Sequence, residues 1–342
     1  MTLTLDSGDE VLTYFGLRTF TLSSYLHPGI PGVPPQENID RGGGDLPNMP
    51  FKLSSADPNL CWAECNKTAE CLSWAYGKPN CGGDGADALC WLKSTVPNPS
   101  NNRCRWSGVE PQPPYTAVKP ALNNDRIFLA GWLDQSFWPD GIYTAPGDDA
   151  LKSDLQAVLD YGLNVVRLHQ KVNPERWYYW ADKLGIVIFQ DAVQKYGGAT
   201  SATVPYFTSD ITAMIEGKYN HPCIVQWTIF NEGDCWGVFN VSDMVDYVRS
   251  LDDTRLIDTD SGGGANNYRL ADVFDIHDYP NPQQPIPSAT QYGMIGEYGG
   301  LGAFVSGKEW VDNGCYAYER VDSTYDFAIK YVNLTQMVLA ND

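Results

Sequence analysis

The sequence predicts an α/β protein built on a (β/α)8-type barrel with no evident eighth strand, plus a small disulfide-rich α+β module. Three observations carry that prediction. From residue 121 onward, short apolar runs alternate with amphipathic stretches, the signature of parallel strands joined by helices. The strand candidates end in polar residues, and the C-terminal strand ends are where such a barrel opens its active-site face. Six of the nine cysteines, Cys61, Cys65, Cys71, Cys81, Cys90 and Cys104, crowd into one short segment, as in a stapled module whose own core is thin.

The elements follow in chain order. Residues 1–22 read as two strands around the turn "DSGDE". Residues 27–50 are rich in Pro and Gly and read as a linker, and "VEPQPPYTAVKP" reads as a second joint after the cysteine cluster. The cluster therefore has the layout of a module inserted into a larger chain. Beyond it lie the strand candidates "RIFLAGWL", "NVVRLHQ", "IVIFQDA", "IVQWTIFNE", "RLIDTDS", "VFDIHDY" and "GMIGEYGG". Between them, "DDALKSDLQAVLDYG" and "VSDMVDYVRSL" have helical periodicity, and "NPERWYYWADKLG" is a helix with Pro174 near its start and Gly185 past its end. The chain closes on "DSTYDFAIKYVNLTQMVLAND", read as the helix after the seventh strand.

The 342 residues are 43% hydrophobic and 19% charged, a globular composition. A formal charge of -19 makes nucleic-acid phosphates and anionic membranes poor partners. No apolar run approaches the ~18 residues that suggest a membrane span. The clustered cysteines fit either disulfides or a zinc site, but the paired Cys-x-x-Cys spacing typical of zinc is missing. Disulfides imply an oxidising compartment, and sequons at Asn66, Asn240 and Asn333 agree with secretion. No signal peptide is visible at the start, so the expected protein is secreted and its natural beginning lies elsewhere.

Polar residues at the strand ends are the candidate site: Arg167, His169, Asp191, Asn231, Glu232, His277, Tyr279 and Glu297. Glu232 ends the fourth strand and Glu297 the seventh, so a barrel would let them converge. Two convergent carboxyls are the equipment of glycoside hydrolysis, one protonated to serve the leaving oxygen and one ionised to attack. Paired carboxylates also serve as metal ligands or as structural partners of Arg167 or Arg269. No His-rich ligand set accompanies them, and no metal or cofactor is called for. Trp138, Trp236 and Trp310 are candidate apolar faces for a sugar ring.

The segments "YFGLRTFTL", "LNNDRIFLAGWLDQSFWPDGIYTAPGDDALKSDL", "GLNVVRLHQKV", "ERWYYWADKLGIVIFQD", "HPCIVQWTIFNEG", "DIHDYPNP" and "GEYGG" resemble glycoside hydrolase family 2, the group of β-galactosidases, β-mannosidases and β-glucuronidases. The resemblance covers about residues 9–22 and 120–320. It implies a retaining, exo-acting β-glycosidase that cleaves a terminal sugar through a covalent intermediate. It matches Glu232 to the acid/base, Glu297 to the nucleophile, Asn231 to the residue that binds the sugar 2-hydroxyl, and Tyr279 to a tyrosine beside the nucleophile. Arg167 and His169 match polar groups of the second strand, with a spacing one residue shorter than is usual in the family. A retaining pair stands about 5 Å apart, which should raise the pKa of Glu232. The chain departs from the family in lacking its upstream domains and a closing strand, so it reads as incomplete at both ends. A non-catalytic carbohydrate-binding or adhesion protein on a degenerate barrel is the alternative.

"LCWAECNKTAECLSWAYGKPNC" and "LCWLKSTVPNPSNNRCRWSGV" resemble the PAN/apple family over about residues 51–110. That resemblance implies a helix against a sheet, a protein or glycan ligand, and nested disulfides: Cys61–Cys104, Cys65–Cys90 and Cys71–Cys81. A spacer without any ligand is the plain alternative. The expected divisions are thus 1–26 for the last strands of an immunoglobulin-like domain, 27–50 linker, 51–110 PAN-like module, 111–120 linker and 121–342 barrel.

Overall fold

The structure is a computed structural model; it describes all residues except 1, 5, 7–9, 195–198, 234–236, 264–269, 310, 312, 313, 315 and 340–342. In chain order, β1 (Thr2–Thr4) and β2 (Glu10–Leu12) pair antiparallel around the expected turn. β3 (Phe20–His27) leads into the cysteine module, which comprises β4 (Val33–Asp40), β5 (Phe51–Lys52), α1 (Pro58–Lys67), β6 (Ser73–Gly77), β7 (Leu89–Lys93) and β8 (Ser100–Val109). β9 (Tyr115–Leu122) leads out and turns into β10 (Asp125–Arg126). The strand–helix series is β11 (Gly131–Asp134), α2 (Asp148–Asp160), β12 (Val165–Leu168), α3 (Glu175–Leu184), β13 (Val187–Asp191), α4 (Val204–Lys218), β14 (Ile224–Asn231), α5 (Val241–Leu251) and β15 (Leu256–Ser261). β16 (Val273–His277), β17 (Tyr292–Glu297), β18 (Leu301–Ala303), β19 (Glu319–Val321) and α6 (Thr324–Leu339) follow.

Contacts divide the chain into two compact units: residues 1–23, 120–260 and 270–272 in the first, and residues 24–119, 261–269 and 273–342 in the second. In the first, β11 to β15 form one sheet in sequence order, and the pairs from β11 to β14 are parallel. Its core follows helical spacing. Leu151, Leu155 and Val158 of α2, Trp177 and Ala181 of α3, Ile211 and Ile215 of α4, and Met244 and Val248 of α5 bury against Val166, Ile188, Ile224 and Trp227. Each large apolar side chain so buried contributes roughly 1.5–3 kcal/mol. Parallel strands in register put their C-terminal residues on one edge, which is what gathers the site residues.

The opposite edge is held by charge. Tyr14 donates to Asp182 at 2.6 Å, and Arg18 donates to the carbonyls of Pro222 and Ile224 at 2.7 and 2.5 Å. Buried His221 lies 2.8 Å from Asp182 through Nδ1 and 2.7 Å from Glu175 through Nε2. Both ring nitrogens face carboxylates, so the imidazolium form satisfies both. Burial lowers the His221 pKa, but the Asp182 and Glu175 hydrogen bonds outweigh it and the net direction is up. Burial raises Asp182 and Glu175, and His221 turns both downward overall. Asp182, His221 and Cys223 lie within 4.8 Å of one another and could hold a metal ion. However, the two nearest ligand atoms already bond each other, so the cluster reads as an ion-pair lock.

In the second unit, the module sheet runs β4-β8-β6-β7-β5, with α1 packed on it through Cys61, Cys65, Trp74, Tyr76 and Leu92. The disulfides are Cys61–Cys90, Cys65–Cys71 and Cys81–Cys104, with Cα separations of 5.4, 5.2 and 5.3 Å. The nested scheme, Cys61–Cys104, Cys65–Cys90 and Cys71–Cys81, is therefore wrong. Cys61 and Cys65 lie one turn apart on the buried face of α1. A turn at Thr68 folds Cys71 straight back, with the Cys71 amide donating to the Thr68 carbonyl at 2.9 Å. Cys104 lies instead beside Lys78, at the entry to the Cys81 loop. Cys223 is a buried free thiol; Cys235 and Cys315 lie outside the described residues.

The stretch 27–50 is likewise more than a linker, because β4 is the edge strand of the module sheet, paired antiparallel with β8. Pro34 and Pro35 fall inside a register shift between Val33 and Gln36, where an edge strand tolerates residues without an N–H. β16 and β17 pair in parallel, and so do β18 and β19. The β18–β19 pair follows the seventh strand, in a stretch from which no strand was expected. Its segments, "LGA" and "ERV", are too short to show periodicity.

Two outcomes follow from these contacts. Mass mapping of unreduced peptides should link Cys61 with Cys90, Cys65 with Cys71 and Cys81 with Cys104; a Cys61–Cys104 peptide would overturn this arrangement. The raised His221 pKa contributes stability that is complete below about pH 6.5 and fades as pH climbs through the folded value. The lowered Asp182 and Glu175 contributions hold above about pH 4 and fade as pH falls through their folded values. The gap in melting temperature between the wild type and His221→Gln should therefore be widest near pH 5–6.5 and narrow on the alkaline side. A gap that stays constant from about pH 5 to pH 9 would contradict the lock.

Candidate active site

In the first unit, the C-terminal edge of the sheet gathers around Arg167. The residue is 4% exposed, and its charge cannot be shed. Nε donates to Asp191 at 3.2 and 3.1 Å, and Nη2 donates to Asp191 at 2.8 Å and to Asn231 Oδ1 at 2.9 Å. His169 Nδ1 lies 2.6 Å from Asp191 and 3.2 Å from Arg167 Nη2. One nitrogen cannot donate and accept at once, so the shorter contact assigns Nδ1–H as a donor to Asp191. Burial pushes Asp191 up, but Arg167 and His169 overcome it and hold the carboxyl below its ordinary range.

This network orients Asn231. Its Oδ1 accepts from Arg167, which turns Nδ2 the other way as a donor. Its backbone is held by Gln194, whose Oε1 accepts from the Asn231 amide at 3.0 Å. Immediately after it, Glu232 takes a φ of 52°. A non-glycine residue in this region costs about 1–3 kcal/mol, so the strand end is held in a turn that regular extension would not give. The Gly233 amide donates to Asp260 at 3.1 Å and anchors the far side of that turn.

In the second unit, β16 ends on His277, the loop after it carries Tyr279, and β17 ends on Glu297. A bulge between Ile276 and His277 sets His277 opposite Glu297 in register. Tyr279 donates a short hydrogen bond to Glu297 Oε2, and His277 Nδ1 lies 3.5 Å from the same oxygen. The other face of His277 is fixed through Ser261, whose Oγ lies 2.8 Å from Nε2 and donates to Asp275. Asp275 also accepts the Gly296 amide at 2.6 Å. A Cβ at Gly296 would stand 2.2 Å from the Asp275 carboxylate, so only glycine fits before Glu297. Tyr279 stacks on Tyr318 with centroids 3.7 Å apart.

The expected residues are thus distributed over two clusters, Arg167, His169, Asp191, Asn231 and Glu232 in the first unit and His277, Tyr279 and Glu297 in the second. Asp191, expected to touch substrate, is 2% exposed and engaged by Arg167 and His169. Trp138 is half-buried in the loop after β11. Trp236, Trp310 and Arg269 lie outside the described residues. Ser261, Asp275, Gln194 and Tyr318 were missed. The polar ending of "RLIDTDS" could have marked Ser261 by the same strand-end rule that marked Glu232.

Over residues 141–291 the chain matches the TIM barrel domain of glycosyl hydrolases family 2, and over residues 39–93 the PAN domain. It is 24% identical over 191 residues to a β-galactosidase of Lactococcus lactis, covering 52% of this chain and 19% of that protein. With a β-galactosidase of Klebsiella pneumoniae it shares 25% identity over 149 residues, covering 41% of this chain and 14% of that protein. The chain thus spans under a fifth of the length of these curated relatives. A solved GH2 β-galacturonidase from Eisenbergiella tayi aligns at a TM-score of 0.49 with 16% identity, covering 79% of this chain and 56% of that one. On its two domain matches, the chain carries a glycosyl hydrolase family 2 TIM barrel domain joined to a PAN domain.

Proposed function

We propose that the chain is a retaining, exo-acting β-glycosidase in which Glu297 is the nucleophile and Glu232 the general acid/base. The observation that carries this reading is the hydrogen bond that Tyr279 donates to Glu297 Oε2. Hydrogen bonds to a carboxylate favour its ionised form, the form a nucleophile needs. The barrel-domain match supports the reaction class, and the relatives named β-galactosidase favour a β-linked terminal sugar as substrate.

In the first step, Glu297 attacks the anomeric carbon and the glycosidic C–O bond breaks. Glu232 gives its proton to the departing oxygen, and a glycosyl ester forms on Glu297. In the second step, Glu232, now a carboxylate, takes a proton from water as that water attacks the same carbon. The ester bond breaks, the sugar leaves, and Glu297 is ionised again. The reading requires the two carboxyls about 5–5.5 Å apart. Asn231 Nδ2, turned outward by Arg167, would donate to the sugar 2-hydroxyl. Asp191 and His169 would position Arg167 rather than touch substrate.

The same reading places the protein outside the cell. Three disulfides suit an oxidising compartment. Asn66, Asn240 and Asn333 are exposed, as glycan acceptors must be. No helix among the described residues is long and apolar enough to cross a membrane.

A slow 2-fluoro β-glycoside should label Glu297, and Glu297→Ala should form no label. Glu232→Ala should keep its first step on activated aryl glycosides but lose roughly 10²–10⁴-fold on substrates whose leaving group needs a proton. A label on another residue would overturn the assignment. Sugar binding with neither turnover nor label would favour the non-catalytic alternative.

A further inference from the structure

The loop between β16 and β17 carries Tyr279, and the cysteine module reaches it directly. Asn98 Nδ2, between β7 and β8, donates to the Pro282 carbonyl at 2.8 Å. From the loop, Gln283 Nε2 lies 3.4 Å from the Gly42 carbonyl, at the edge of hydrogen-bond distance. Gln283 is itself buried, at 3% exposure.

The module side of the contact is itself braced. Lys93 is 2% exposed, and its ammonium donates to the Gly43 carbonyl at 3.0 Å and to Asp45. The Ser94 amide donates to the Gly44 carbonyl at 3.0 Å, and Arg41 donates to the Pro97 carbonyl at 2.7 Å. A Cβ at Gly44, where φ is 66°, would stand 1.8 Å from Thr95 Oγ1. The "RGGGD" run is therefore shaped to lie against the strand that ends at Lys93. That strand also carries Cys90, stapled to Cys61. On the loop side, Tyr279 is followed by Pro280, whose carbonyl accepts from the Gly299 amide at 2.9 Å, two residues past Glu297.

We propose that the inserted module acts within the chain as a clamp on the Tyr279 loop, with Asn98, Lys93 and Gln283 as positioning residues for the hydrogen bond from Tyr279 to Glu297. The proposal goes beyond the glycosidase reading and rests on it only for the consequence in catalysis. The contacts come from the rim of the module: Asn98 and Gly42 are exposed, while Lys93 and Thr95 behind them are buried.

Hydrogen–deuterium exchange of the full chain tests the clamp without any need for turnover. The amides of Asp278, Ser288 and Gly299 close the loop's own hydrogen bonds. Asn98→Ala, and Asn98→Ala with Gln283→Met, should speed their exchange by roughly tenfold, the effect of losing about 1.4 kcal/mol of restraint. Peptides from Leu72 to Val109 should exchange as in the wild type, showing the module intact. Unchanged exchange at all three amides would overturn the proposal.

Kinetics give the second readout, on an activated aryl β-glycoside. Tyr279→Phe should lower kcat more than it changes KM, since the attacking carboxylate loses the hydrogen bond that orients it. The module variant should likewise lower kcat with KM little changed, by roughly three- to tenfold, and add less than about twofold in the Tyr279→Phe background. An equal loss in both backgrounds would mean the module does not act through Tyr279. Failure of the glycosidase reading would show separately, as an absent label on Glu297.

Discussion

Arg167 is 4% exposed, and a guanidinium keeps its charge at any pH a protein survives. A buried charge of that kind is stable only where carboxylates and hydrogen bonds replace water. Asp191 supplies the countercharge from the next strand and Asn231 an acceptor from the strand after that. The cation therefore ties the ends of β12, β13 and β14 to one another. Removing either partner would strand the charge, so Asp191, Asn231 and the turn at Glu232 are constrained together. The functional consequence is an asparagine whose donor end is directed by a residue that need not touch substrate.

Glu297 has a different kind of support. A bulge re-aims His277, and Tyr279 reaches Oε2 from a loop rather than from a strand. Behind His277, Ser261 and Asp275 form a relay that ends on the Gly296 amide, one residue before Glu297. The backbone that carries the carboxylate and the imidazole that faces it are thus set by the same aspartate. The phenol stacks on Tyr318, and its loop is where the module's contacts with the Pro282–Gln283 segment enter.

The position of the module makes such a role mechanically simple. β3 and β9 are neighbours in one sheet, so the chain leaves and returns at one place, the condition under which an insertion leaves its host undisturbed. Three disulfides then make the inserted fold stiff despite its size. A stiff element braced by a buried lysine can hold a proline-rich loop that has few amides to form hydrogen bonds of its own.

The local sequence determined the strand–helix series and the edge on which polar residues gather. Both follow from periodicity and from single residues such as Gly185 after α3, which act over a few positions. The Asn231–Glu232 pair and the Gly-Glu-Tyr-Gly-Gly run were legible because they interrupt apolar strands with carboxylates. Tertiary structure alone decided the disulfide pairing, since helical rotation and the Thr68 turn choose which sulfurs meet. It also turned the proline-rich 33–40 segment into an edge strand, because pairing depends on a partner 60 or more residues away. Asp191 and Asp275 show the same limit: in sequence they are acids at or near strand ends, and only the partners facing them, Arg167 and Ser261, make them supports. Partners brought together from distant positions leave no mark in either local sequence, and that is the physical reason they could not be read in advance.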